Sequence, residues 1–442
     1  MMKKSLIKNG QVWTGGAFRN VDLLISDGRI DAIQKSGIAP QDFQGEMIDA
    51  SGLMILPGAI DIHAHIQDGA ETFFQGSCSA AKGGVTTVID MPPFSTVIDR
   101  KTWEERKEWG ERECVIDFGL TGGIITKMSD LDHLDELVEA GVAQVKIFML
   151  MKPSTELIWT AVQKAAQNGL RLTVHMEEPA CLGKVDWDKP MGFVQANPPV
   201  AENVAAAQVL EMAHAVGAPV HVCHVSSGRT VELIQMHKAW GTDVTAETGP
   251  QYLLLTEEDY LEQGDRVIAT PVLRKQEDSE LLWQGLQAGI IDCVITDHFL
   301  GALPDPSKPR PALKDAEPGI ASLEVLYPLM LDAALHEGWL TPAMLVDVMS
   351  TRPAALMGID DRKGRIAVGM DADLVFMDER ESWKIADLGE RSRISTLPYE
   401  GWQIHAFVRR TMVRGETVWD GEKILAGKGY GQFCGALQEK RK

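Results

Sequence analysis

From Met54 onward, apolar runs of strand length alternate with segments whose apolar residues recur at helical spacing. Eight such runs stand out: "MILPGAID", "GVTTVIDM", "CVIDFGLTG", "AQVKIFML", "LRLTVH", "APVHVCHV", "GTDVTAE" and "IIDCVITDH". Between them the spacing predicts helices over 131–140, 156–168, 201–216 and 229–240. Alternation of this kind implies parallel strands joined by crossover helices, and eight strand-plus-helix units predict an α/β chain closed into a (β/α)8 barrel. The first fifty residues read differently. "SLIKNGQVW", "DLLISDGRIDAI" and "EMIDASGLMILPG" are short alternating strands broken by Asn-Gly, Asp-Gly and Ser-Gly turns. After Gly364 strand patterning returns in "GRIAVGMDADLVFMD" and "IHAFVRRTMVRGETVW". The two chain ends are therefore expected to build one small composite β-sandwich, dividing the chain into 1–53, 54–363 and 364–442.

Composition changes this picture little. A length of 442 residues exceeds a single ordinary core, and 45% hydrophobic with 24% charged residues is globular. The formal charge of -20 argues against a nucleic-acid partner. No apolar run reaches the length of a membrane span and the N-terminus lacks a signal-like apolar segment, so a cytoplasmic location is expected. Six scattered cysteines without a CxxC pair fit reduced, mostly buried thiols.

Candidate chemistry sits at the strand ends. The first run closes on His63 and His65, which share one face of a strand and so suit either a metal ion or a pair of hydrogen-bonded structural imidazoles. The fifth run ends at His175, the sixth at His224 and the eighth at Asp297. Each falls at the C-terminal rim, where barrel enzymes hold their reactive groups, and together they form an N/O ligand set suited to zinc, manganese or iron. His221 and His298 fit structural hydrogen bonding instead. Lys146 lies inside the apolar fourth run, although lysine is rarely buried without compensation for its charge. One outcome is a paired or snorkelling ammonium. The other is a neutral amine that adds carbon dioxide to become a carbamate, an anionic bridge between two cations.

"PGAIDIHAH", "VKIF", "TVHMEE", "VHVCHVSS", "VTAETGPQYLLLTEEDY", "DCVITDH" and "GRIAVGMDADLV" are similar to the cyclic amidohydrolases, the group holding dihydroorotases, allantoinases and dihydropyrimidinases or hydantoinases. The resemblance runs in order over nearly the whole chain. It implies a distorted TIM-like barrel with a sandwich made from both termini, and two divalent metals, usually zinc. It further implies that His63, His65, Lys146 and Asp297 hold the more buried metal, and that N6-carboxylated Lys146, His175 and His224 hold the more exposed one. Asp297 would take a proton from a shared water and return it to the departing ring nitrogen. Homodimers or homotetramers are common in the group.

The implied substrate is a small cyclic amide. Dihydroorotases follow the histidine pair with an arginine that grips a carboxylate; here Gln67 stands in its place, and Thr270 replaces a substrate-binding asparagine. Arg274 or Arg229 would have to rebuild that carboxylate site. Hydantoinases offer a tyrosine after the lysine, whereas this chain reads "IFMLMKP". Resemblance is nearest to the allantoinases, through "GGVTTVIDMP" with its following "ST" and the tail from Trp383. "EPGIASLE", with Pro318 and Gly319, replaces a glycine-rich segment that cradles the ring, and the loop "IQDGAETFF" is short. These departures make the loop after His65 the expected place of substrate choice. An enzyme opening an allantoin-like ureide or imide is the leading expectation. A dihydroorotase with an altered carboxylate site, and a non-catalytic assembly protein that keeps only the fold, are the alternatives.

Overall fold

The computed structural model describes residues 3–37, 43–92, 96–301, 313–386, 388 and 397–435. Ser95 of the "ST" pair, most of the stretch between Ala386 and Leu397, and the last residues of the tail lie outside them. Eight parallel strand positions close the barrel. The first four are Ala59–His65, Val85–Asp90, Asp117–Leu120 continued by Gly122–Gly123, and Gln144–Phe148. The others are Arg171–His175, Val220–Val222, Val244–Thr248, and Cys293–Val294 continued by His298–Phe299. The third and eighth are each broken, and their two halves pair with opposite neighbours, so hydrogen bonding divides the barrel into a six-stranded and a four-stranded part. The break in the eighth strand matters for chemistry: Asp297 lies in it, tied to the first strand by its backbone N–H donating to the His63 carbonyl at 3.0 Å.

Why these runs become barrel strands is visible in their burial. Val85–Asp90 and Asp117–Leu120 are buried at every position, as expected where helices cover one face and the barrel interior the other. The predicted helices appear as Thr155–Asn168, Pro199–Val216 and Gly228–Ala239, while the first is divided into a 3-10 turn at Met128–His133 and a short helix at Leu134–Glu139.

Both chain ends share one nine-stranded sheet. Leu374–Asp378 pairs antiparallel with Phe407–Val413 on one side and with Met54–Pro57 on the other. The change of sheet therefore comes after Pro57, not before Met54 as the sequence pattern suggests. Met54 to Pro57 is buried throughout, so no alternation marks it as sandwich strand. Gly58 makes the turn between the two sheets, where a side chain would run into Thr86. All six cysteines are free. Among the described residues no helix is long and apolar enough to cross a membrane.

Candidate active site

His63 and His65 leave the first strand with their rings edge to face, centroids 5.3 Å apart. Each is oriented from behind. His63 Nδ1 meets the Glu247 carboxylate and His65 Nδ1 meets the carbonyl of Met91, which leaves both Nε2 atoms pointing to Asp297 Oδ1 at 3.3 Å. An imidazole fixed through one nitrogen so that the other faces a shared point is the arrangement that orients metal ligands. Asp297 and His224 both hold positive φ, 50° and 31°, in a region that non-glycine residues seldom adopt. Such strain persists where surrounding structure enforces it, and it turns both side chains into the barrel mouth.

A second group lies alongside. His175 Nε2 engages Glu177 Oε2 at 2.9 Å, and its Nδ1 lies 3.0 Å from His224 Nε2. Two imidazole nitrogens at that separation need a proton or a cation between them. His224 Nδ1 is buried with no hydrogen-bond partner. Burial pushes the pKa of His63 down and those of His175 and His224 far down, so these rings are neutral near pH 7. Burial works against ionisation of Asp297, but the neighbouring His63, His224 and His65 hold its carboxyl well below the usual carboxylate range. Neutral imidazoles and an ionised carboxylate are the forms in which these side chains bind metal. The donor set thus fits divalent cations, with Nε2 of His63 and His65, Oδ1 of Asp297, Nδ1 of His175 and Nε2 of His224 as the available atoms.

Lys146 lies buried between the two groups, on the fourth strand opposite Thr173. Its Nζ contacts Cys223 Sγ at 3.0 Å, and among the described residues it makes no ion pair with a carboxylate. Burial pushes the Cys223 thiol up to about 12, so it offers no negative charge at neutral pH. The lysine therefore sits in a mouth lined with ligands and without the anion that a buried ammonium requires.

All six predicted ligands line one cavity of about 340 Å³. Thr270, Pro318 and Gly319 line it as well. Gln67 and Arg274 do not. Gln67 Oε1 accepts from the Phe73 N–H at 2.9 Å. Arg274 donates to Ser226 Oγ at 3.0 Å and to the Asn197 carbonyl at 2.6 Å, and lies 3.9 Å from Glu177 and Glu202. Arg229 pairs with Glu232 at the surface.

The loop after His65 also differs from expectation, since none of residues 66–74 reaches the cavity. Asp68 pairs with Arg106 at 2.7 Å, and Glu71 meets His298 Nε2 at 2.6 Å. Thr72 and Gln75 form a reciprocal cap on the helix Phe73–Lys82. Its polar residues are consumed in holding the loop to the barrel.

The walls come from elsewhere and are mainly apolar: Met91, Ile124, Phe148, Leu150, Phe299 and Ile320. They belong to several separate loops, so no local pattern announces them. Glu247 was also missed, although a carboxylate inside "VTAE" carries the same signal as Lys146 inside "AQVKIFML". It joins His63 to His221 Nε2, 3.0 Å away; burial would raise its pKa, but the two histidines hold it far below the carboxylate range. His221 and His298 act as the structural hydrogen bonders expected of them.

Residues 54–418 match the family described as "Amidohydrolase family". An allantoinase from Salmonella choleraesuis (strain SC-B67) is 31% identical over 97% of this chain and 98% of its own. An allantoinase from Salmonella heidelberg (strain SL476) is 32% identical with the same coverage. Among solved structures, a D-hydantoinase superposes with TM-score 0.89 at 27% identity, covering 98% of this chain and 99% of that one. The L-hydantoinase (dihydropyrimidinase) from Arthrobacter aurescens gives 0.88 at 30% identity, covering 98% and 100%. Full-length similarity of this kind, with a barrel mouth that gathers histidines, a carboxylate and a buried lysine, identifies the chain as a member of the amidohydrolase family, a hydrolase of its cyclic amidohydrolase group.

Proposed function

We propose that this chain opens the ring of a small cyclic ureide or imide by hydrolysing its amide bond at a binuclear centre of divalent cations, zinc first among them. The observation that carries the proposal is the meeting of His63, His65, Lys146, His175, His224 and Asp297 in one cavity. His63, His65 and Asp297 would hold one cation, His175 and His224 the other, and Lys146 would bridge them as its N6-carbamate. When bound, such a pair lowers the pKa of a water towards neutrality and polarises a carbonyl. Asp297 is the residue that moves the proton. As an ionised carboxylate it accepts from the attacking water, then returns the proton to the ring nitrogen as the C–N bond breaks. Glu247 and Glu177 keep His63 and His175 turned so that one nitrogen of each faces inward.

Allantoin is the substrate that the curated relatives favour. A second reading has its own observation: a wall of Phe148, Leu150, Met151 and Phe299 fits a ring carrying an apolar substituent better than one carrying a polar ureido arm. Dihydroorotate fits least, because among the described residues no arginine lines the cavity and Arg274 is already engaged. An assembly protein without catalysis is disfavoured by the complete ligand set.

The test incubates metal-loaded protein with allantoin, hydantoins bearing apolar or polar substituents, dihydropyrimidines, dihydroorotate and cyclic imides, and follows ring opening. Turnover of one neutral ring class is expected. Two bound metals per chain with no ring opened across the panel would end the proposal.

A further inference from the structure

Far from the barrel mouth, three side chains from two parts of the chain converge: Asp332, His336 and His405. Asp332 lies in the helix Leu326–Leu335 and His336 follows that helix directly, so the two, four residues apart, share one side of it. His405 occupies the turn between the strands Gln403–Ile404 and Phe407–Val413. One donor atom from each lies within 4.8 Å of the others. The two imidazoles face each other, centroids 4.6 Å apart and planes 31° apart, and His405 Nδ1 is 3.5 Å from Asp332 Oδ1.

We propose that these residues form a separate binding site for a borderline divalent transition metal, of the zinc, nickel or cobalt kind. Ligands on a tetrahedral ion with bonds of about 2.0–2.1 Å stand roughly 3.4 Å apart, close to the separation of His405 Nδ1 and Asp332 Oδ1. Two imidazoles and one carboxylate suit such ions better than magnesium or calcium, and leave a position for water. The carboxylate is already oriented, because Asp332 Oδ1 accepts the backbone N–H of His405 at 2.7 Å. Both imidazoles are exposed and accessible to an incoming ion, while Asp332 is buried.

Among the described residues, the two other ligand-type clusters outside the mouth lack this opening. Asp117, Asp371 and Asp373 surround the ammonium of Lys363, and the Glu247 carboxylate of the His221–Glu247–Cys293 group is taken by His63 and His221. A metal at Asp332, His336 and His405 would cross-link a helix outside the barrel to the chain that enters the last strands of the sandwich. It would stabilise the folded protein in proportion to its occupancy.

The experiment titrates Ni²⁺ alone into full-length protein whose barrel site is already metal-loaded, reading heat of binding, total metal per chain and unfolding midpoint. One additional equivalent and a raised midpoint are expected. In His336→Ala and His405→Ala that binding should be lost or at least tenfold weaker, with ring-opening activity unchanged. His336→Gln, which keeps a polar side chain, supplies a check should an alanine variant fold poorly. Equal Ni²⁺ uptake and equal midpoint shifts in wild type and variants, or no uptake by wild type beyond the barrel site, would overturn the proposal.

Discussion

Two deeply buried lysines, at different places on the same barrel, have opposite surroundings. Lys363 packs where the third strand begins and the chain returns to the sandwich, with its Nζ 2.7 Å from Asp117 Oδ2, 3.4 Å from Asp371 Oδ2 and in contact with Asp373. Burial alone would lower its pKa, but Asp373 and its neighbours raise it, so the ammonium is held charged. Lys82, the last residue of its helix, likewise meets Glu324 at 3.2 Å. Lys146 has a thiol and a ring of ligands in place of carboxylates. The difference separates a lysine that closes an electrostatic joint from one that makes no carboxylate pair among the described residues and faces a set of ligand-type side chains. In a barrel, the first kind belongs at the N-terminal face and the second at the C-terminal mouth.

Substituting the two lysines should break the protein in different ways. Lys146→Ala is expected to lower kcat/KM roughly 10³-fold or more, since several kcal/mol of transition-state stabilisation depend on an assembled centre. Bound metal per chain should fall with it, while the unfolding midpoint of metal-free protein changes little. Lys363→Met should do the reverse. It removes the ammonium that three buried aspartates share, at a cost of about 3–5 kcal/mol, and should lower the unfolding midpoint while metal content and KM in the folded fraction stay near wild type. A Lys146→Ala protein with full activity, or a Lys363→Met protein as stable as wild type, would dissolve the distinction.

Much of this contrast is legible in the amino-acid sequence. His63, His65, His175, His224 and Asp297 stood out because strand ends recur at the rim, and Lys146 because charge is rare inside an apolar strand. Lys363 carried no such mark, for it lies in a polar turn and becomes buried only when Asp117 and Asp373, far apart in sequence, close around it. The loop after His65 misled for a related reason. Gln67 reads as a substrate contact and its loop as the place of substrate choice, yet Phe73 engages Gln67, and Arg106 and His298 engage Asp68 and Glu71 beside it, partners set by tertiary structure alone. Met54–Pro57 reads as barrel strand in the sequence because a strand buried on both faces looks the same in either sheet.

Glu247 sharpens the comparison, because it is a buried charge with partners that serves the mouth and not the joint. Its carboxylate lies between His63 and His221, and so acts on the centre through the ring it orients. Glu247→Gln should weaken metal binding about 10–100-fold, the range seen when such supporting hydrogen bonds are altered. The loss should be recovered at high metal concentration, which a purely structural defect would not permit. Metal titration of activity distinguishes the two outcomes.

The smallest expected effect probes the one contact that could make Lys146 resemble Lys363 after all. If Cys223 were a thiolate, the 3.0 Å contact with Lys146 Nζ would be a buried ion pair, and removing the sulfur would cost about 3–5 kcal/mol, as for other buried pairs. Burial raises the thiol to about 12 despite the pull of Lys146, so at pH 7 to 9 the contact is that of a neutral group. A neutral buried cysteine behaves as a small apolar residue, and Cys223→Ala should cost only about 1 kcal/mol. The measurement is the denaturation midpoint of metal-free protein across pH 7 to 9: the thiol stays protonated in the folded protein but ionises in unfolded wild type as pH nears 9, so the difference from wild type should narrow by a few tenths of a kcal/mol towards pH 9. A difference that grows with pH would mean that the thiol ionises in the folded protein, and that Lys146 is a paired lysine like the other.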